Sequence, residues 1–211
     1  MNVKLKVCGM RDAGNILQVA SLHPDYMGFI FYPQSPRFIG KDFTLPKEFP
    51  NTIKRVGVFV NESTDRIKAL VKNLDLDFVQ LHGNESVEDC SDLKSSGVGV
   101  IKVFSVGSDF DFQITKPYQP VVDFFLFDTK GKLFGGNAKT FDWSILQNYD
   151  QKIPFFLSGG LSEDNISAIA SLSKMNIHAL DLNSGIEIEP GIKSIERLGR
   201  YKQELKNLTH N

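Results

Sequence analysis

Cysteine is scarce in this chain: Cys8 and Cys90 are the two among 211 residues. That excludes a disulfide framework and suits the reducing cytoplasm. An excess of one charge is missing too, with 24 Lys plus Arg against 25 Asp plus Glu. No Lys/Arg-rich run breaks the balance, so neither nucleic acid nor an anionic membrane surface is expected as a partner. No apolar stretch is long enough to span a bilayer. The opening MNVKLKVCG holds no signal-peptide core. Linkers, low-complexity tracts and charge blocks are lacking, which leaves residues 1–211 as one domain. No His, Cys, Asp or Glu cluster has metal-ligand spacing, so no metal is expected.

Phenylalanine is plentiful, at 17 residues, enough to fill a large apolar interior. Short β-rich runs alternate with helical patterns nearly to the end of the chain. The strand candidates are Lys4–Cys8, Met27–Phe31, Arg55–Val60, Phe78–His82, Gly99–Phe104, Phe124–Asp128, Pro154–Ser158 and Ala179–Asn183. Several are nearly continuous apolar runs, as strands covered on both faces require. Helix starts are readable at Asp12, Ser63, Ser86, Asp142 and Ser162. A last helix carries Ile195, Leu198, Tyr201, Leu205 and Leu208 at helical spacing. Pro33–Pro50 holds four prolines and little periodicity, and Asp109–Pro120 is too short and Pro-rich for a long helix. Eight strands alternating with helices imply parallel pairing with right-handed crossovers. Closure into a single-domain (β/α)8 TIM barrel suits that count better than an open sheet.

Active sites of such barrels lie at the C-terminal ends of the strands. Those ends offer Cys8-Gly9, Gln80-Leu81-His82-Gly83, Asp128-Thr129, Ser158-Gly159-Gly160 and Asn183-Ser184-Gly185. Cys8 shares its strand face with Lys4 and Lys6, opposite Val3, Leu5 and Val7. Nearby cations stabilise a thiolate, so Lys4 or Lys6 is expected to tune Cys8. Gly159-Gly160 and Ser184-Gly185 stand in the two loops that hold phosphate in phosphosugar barrels, with Ile186–Ile188 expected to begin the short extra helix. Either pair alone reads as an ordinary turn; both together favour a phosphate. Asp128 alone reads as a cap or rim residue, but with Cys8 it supplies a second titratable group on the same rim. Arg37, in the loop after the second strand, has the planar fork that suits a carboxylate. Asp181 points into the barrel, toward either a lysine bridge or a sugar hydroxyl. Gln80 and His82 share an inward face, and His82 reads as a hydrogen-bonded lining residue rather than a catalyst. Cys90 reads as core.

Together the segments KVCGMRD, GFIFYPQSPRFIG, VGVFVN, VQLHGNES, LFDT, KTFDW, FFLSGGL, LDLNSGIE and EPGIK resemble the phosphoribosylanthranilate isomerase family of tryptophan biosynthesis. They span almost the whole chain in family order. The resemblance implies an Amadori rearrangement of N-(5′-phosphoribosyl)anthranilate. In it Asp128 is the general acid at the ribose ring oxygen, and Cys8 as thiolate is the general base at C2′. Arg37 matches the position that contacts the anthranilate carboxylate, and the glycine loops match the phosphate site. The rearrangement moves only protons, so no cofactor is implied. The expected partner is a small phosphosugar, and the expected state a monomer, with a homodimer as the alternative. One departure is Ala138, which stands where the family's loop carries glycine. Rival readings are another phosphate-barrel enzyme, a non-catalytic phosphosugar-binding barrel, and a redox role for Cys8. They lack, respectively, metal ligands or lysines at strand ends, a need for Cys8 and Asp128 together, and a resolving thiol close in sequence.

Overall fold

The computed structural model describes residues 3–129 and 142–209. Eight parallel strands close into a barrel: β1 Lys4–Val7, β2 Tyr26–Ile30, β3 Lys54–Phe59, β4 Phe78–Leu81, β5 Gly99–Val106, β6 Phe124–Thr129, β7 Phe155–Leu157 and β8 Ile177–Leu182. β1 closes the ring against β8, with Lys6 opposite Asp181. Each expected strand is present, shifted by at most about two residues at an end.

Strand alternation divides the interior. Leu5, Val7, Phe29, Leu81, Phe125, Phe127 and Leu180 face outward and join the helices in the larger apolar layer. Tyr26, Val56, Ile101, Val103, Leu126, Phe156 and Ala179 face inward and fill the barrel's lower half. A fully buried side chain of this size contributes about 1.5–3 kcal/mol, so the Phe-rich strands carry much of the stability.

The crossovers are less regular than the sequence pattern predicts. α-Helices cover β1, β3 and β4: α1 Ala13–Ala20, α2 Thr64–Leu74 and α3 Val87–Ser95. Asp12 caps α1 by accepting from the Asn15 amide at 2.8 Å. Ser86 and Asp89 form a capping box on α3. Residues 31–53 run without a helix, as their prolines suggest. Phe112–Val121 winds as a 3₁₀ segment holding Pro117 and Pro120, which lack the amides an α-helix needs. Trp143–Asn148 and Glu163–Leu172 are also 3₁₀ rather than α. Along the latter, Ile166, Ile169 and Leu172 are buried, and a 3₁₀ winding aligns residues three apart.

After β8 the chain departs from expectation. Ile186–Ile188 does not begin a helix. A single turn, Ser184–Ile186, leads into an antiparallel ribbon of β9 Glu187–Glu189 and β10 Ile192–Lys193. The final helix, α4, spans Ile195–Thr209. Ala138 and its neighbouring glycines lie outside the described residues.

Candidate active site

Cys8 follows β1 directly, its amide donating to the Leu182 carbonyl at 2.8 Å. Gly9 then turns with φ +77°, a conformation that glycine adopts without strain. A Cβ at Gly9 would lie 2.7 Å from Arg37 Cδ and 2.8 Å from Asn183 Oδ1. Gly9 thus lets two mouth residues close on the end of β1. Gly28 does the same for the thiol, since a Cβ there would lie 2.7 Å from Cys8 Sγ.

Beneath Cys8, Lys6 Nζ donates to Asp181 Oδ1 at 2.8 Å, and both side chains are buried. The open choice for Asp181 therefore includes a lysine bridge. Burial works against the Lys6 ammonium, but Asp181 and Cys8 beside it leave its pKa raised. The same burial pushes the Cys8 thiol up from its ordinary value, against the opposing pull of Lys6 and Lys193. The expected thiolate stabilisation is thus present but outweighed by desolvation. Lys4 lies at the other end of β1, its ammonium 5.7 Å from the Tyr26 ring centroid.

β4 supplies Gln80 and the residue after the strand is His82, the two joined by a 3.4 Å contact between Gln80 Nε2 and His82 Nδ1. His82 Nε2 stands 3.5 Å from Asp128 Oδ2. Gln80 Oε1 and His82 Nε2 are buried with no hydrogen-bond partner in the protein. Buried polar atoms left open in this way are costly unless a ligand or water completes them. Asp128 is the penultimate residue of β6, with Oδ1 accepting from the Thr129 amide at 2.8 Å.

Gly159 and Gly160 both adopt positive φ, at +88° and +69°. A Cβ at Gly159 would lie 2.1 Å from Thr129 Oγ1 and 2.9 Å from Asp128 Oδ1. The glycine is therefore needed for close packing against Thr129 and Asp128. Asn165 holds this loop, donating to the Gly160 carbonyl at 2.7 Å and accepting from the Ser162 amide at 3.0 Å. Gly185 packs on the same loop, since its Cβ would meet the Leu161 carbonyl at 2.1 Å.

Arg37 is not a solvated loop residue. Its Nε and Nη2 donate to the two oxygens of Glu187 at 2.8 and 2.6 Å. Burial alone would raise the Glu187 pKa, but Arg37 and Lys193 hold it below the usual carboxylate value. Glu187 and Lys193 went unrecognised in sequence because about 150 residues separate Glu187 from Arg37. Glu85 went unrecognised for a similar reason. It accepts from the Gly83 and Asn61 amides and from Lys102 Nζ at 2.8 Å, and so fixes the turn that follows His82.

Cys8, Arg37, Gln80, His82, Asp128, Gly159, Gly160, Asp181, Ser184 and Gly185 all line one cavity at the C-terminal mouth. Asn183, Tyr32, Val58 and Leu161 complete its walls. Among the described residues, no group of His, Cys, Asp and Glu has the arrangement to hold a metal ion.

A closed eight-stranded α/β barrel with a polar pocket at the C-terminal ends of its strands is the architecture of a barrel enzyme. Residues 5–204 match the family described as N-(5′-phosphoribosyl)anthranilate (PRA) isomerase. An N-(5′-phosphoribosyl)anthranilate isomerase of Parabacteroides distasonis is 43% identical over 204 residues, covering 95% of this chain and 92% of that protein. The crystal structure of the Thermotoga maritima phosphoribosyl anthranilate isomerase superposes with a TM-score of 0.84 at 32% identity, over 97% of this chain and 99% of that one. Another crystal structure of a phosphoribosyl anthranilate isomerase, at TM-score 0.81 and 30% identity over 97% and 99% of the two chains, holds reduced 1-(o-carboxyphenylamino)-1-deoxyribulose 5-phosphate. The chain belongs to the N-(5′-phosphoribosyl)anthranilate isomerase family and is an isomerase of tryptophan biosynthesis.

Proposed function

We propose that this barrel converts N-(5′-phosphoribosyl)anthranilate to 1-(2-carboxyphenylamino)-1-deoxyribulose 5-phosphate with Asp128 as general acid and Cys8 as general base. The observation that carries these roles is that both side chains open into one cavity, on strands well apart around the ring. Asp128 gives its proton to the ribose ring oxygen, the ring C–O bond breaks, and the anilino nitrogen's electron pair forms a Schiff base at C1′. Cys8 as thiolate then removes the C2′ proton, and the electron pair left behind neutralises the iminium as an enolamine. Tautomerisation of the enolamine gives the ketone. Every step moves protons and electron pairs within one substrate, so the atoms balance without a redox cofactor. Positioned acid and base each contribute about 10²- to 10⁴-fold.

The remaining residues divide the substrate between them. Gly159, Gly160, Ser184 and Gly185 cradle the phosphate with backbone amides. Arg37 meets the anthranilate carboxylate. Gln80 and His82 bring unpartnered polar atoms that sugar hydroxyls can complete, and Asp181 holds Lys6 below the thiol. Every proposed residue comes from one chain, so a monomer suffices for the chemistry. Both cysteines are free, and a mechanism that needs a free thiol fits the cytoplasm. The direct test is loss of phosphoribosylanthranilate fluorescence with purified protein. Turnover that persists in reductant supports the reading, and no turnover above the spontaneous rate refutes it.

A further inference from the structure

Lys193 is a charged side chain that the reaction above does not use. It lies on β10 and is 1% exposed. Its Nζ donates to Glu187 Oε1 at 2.6 Å, to Asn183 Oδ1 at 2.8 Å and to the Asn183 carbonyl at 3.2 Å. Its backbone is clamped to α1: the Lys193 amide donates to Asn15 Oδ1 at 2.8 Å, and Asn15 Nδ2 donates back to the Lys193 carbonyl at 2.9 Å. A long, flexible side chain is thus fixed at both ends. The Glu187 carboxylate is equally fixed, with donors from Arg37 Nε and Nη2, Lys193 Nζ and the Gly191 amide at 2.9 Å.

We propose that Lys193 is a positioning residue of this isomerase: it locks Glu187 so that the Arg37 fork is held at the cavity wall, and it leaves one uncompensated positive charge beside Cys8. This deepens the reading above and rests on it. Arg37, Lys193 and Glu187 together carry one net positive charge while Lys193 is protonated. Lys6 and Asp181 below the thiol cancel each other, and Asp128 sits against His82, its Oδ2 3.5 Å from Nε2. The spare charge is therefore available to a substrate carboxylate or to the Cys8 thiolate. Neither bond from Arg37 to Glu187 uses Nη1, which leaves that donor for the incoming carboxylate. Burial lowers the Lys193 pKa to about 8, but the Glu187 carboxylate and a Cys8 thiolate both oppose that fall, so ionisation of the thiol favours a charged Lys193.

The arrangement has one competing interpretation, in which Glu187 is a stand-in that the substrate carboxylate must displace. The two make opposite predictions. The full-length protein is prepared unaltered, as Lys193→Met and as Glu187→Gln, with folding checked by circular dichroism. Cys8 alkylation by iodoacetamide is followed against pH by mass spectrometry, which separates it from Cys90. In Lys193→Met the midpoint moves to higher pH by about one unit, because a cation beside the thiolate is gone. In both variants KM rises roughly tenfold with a smaller change in kcat, as loss of a charge-assisted contact requires. A KM that falls in Glu187→Gln overturns the proposal in favour of the stand-in. An unmoved midpoint with unchanged KM in Lys193→Met overturns it as well. Should Lys193→Met fail to fold, the direction of KM in Glu187→Gln decides alone. If the unaltered protein lacks turnover, the isomerase reading fails, yet the alkylation midpoint still decides the role of Lys193.

Discussion

The two halves of the barrel interior are built on the same strands with the same inward parity, yet they do opposite work. The floor is mostly apolar. Tyr26, Phe124 and Phe156 pack edge-on or tilted around His178, and the Tyr26 hydroxyl lies 2.7 Å from His178 Nε2. The mouth holds Lys6, Cys8, Gln80, Asp128 and Asp181, all buried, and it includes polar atoms with no protein partner. In the floor the ring contacts and the Tyr26–His178 pair serve stability. In the mouth, the hydrogen-bonding capacity of Gln80 and His82 is left partly unmet. The difference arises at strand ends: a residue two positions further along an inward face passes from packing to chemistry.

The largest expected effect lies in the mouth. Cys8→Ala lowers turnover by about 10³-fold or more while leaving thermal unfolding nearly unchanged, as fluorescence kinetics and calorimetry on one preparation will show. Wild-type-like turnover in that variant breaks the comparison. The floor predicts the reverse. Phe156→Ala leaves a cavity among rings and costs about 3–5 kcal/mol of stability, read by urea unfolding, while the folded fraction keeps its kcat. A smaller loss of stability with a large loss of kcat shows that floor and mouth are not separable.

Lys6→Met sits at the boundary and is expected to affect both. It leaves Asp181 as an unpaired buried charge, which costs about 3 kcal/mol, and it removes a cation from Cys8. The Cys8 limb of the pH–rate profile then moves to higher pH. An unmoved limb restricts Lys6 to a structural role.

The smallest effect is a pH dependence in the floor. Burial lowers the His178 pKa to about 4, below the ordinary 6.5 of an unfolded chain. Between those values the unfolded state binds more protons, so stability falls as pH drops from about 6.5 toward 4. His178→Phe removes that loss, on the order of 1–2 kcal/mol after allowance for solvent screening of a partly buried ring. Parallel acid-unfolding curves for the two proteins contradict the assignment.

The contrast also explains what was legible in the sequence. Apolar runs such as Phe124-Phe125-Leu126-Phe127 mark buried parallel strands without ambiguity, and the residues after them mark the mouth. Parity alone placed Asp181 inside the ring, where Lys6 meets it in register. What stayed hidden depends on distant chain segments meeting. Glu187 reaches Arg37, and Asn15 reaches Lys193, across gaps that carry no local pattern. The direction of the Cys8 shift was hidden too, because neighbouring lysines can be read from spacing whereas depth of burial cannot. The turn and ribbon after β8 replaced an expected helix because its short polar sequence fits either form.

Asp128→Asn gives the most direct test of an acid and a base sharing one substrate. Its affinity for a reduced, stable product analogue is measured by calorimetry beside its turnover of phosphoribosylanthranilate. The account predicts a Kd within about threefold of the unaltered protein and a kcat lower by about 10³-fold, since asparagine accepts the same hydrogen bond but has no proton to give. Undiminished turnover, or a loss carried entirely by Kd, contradicts it.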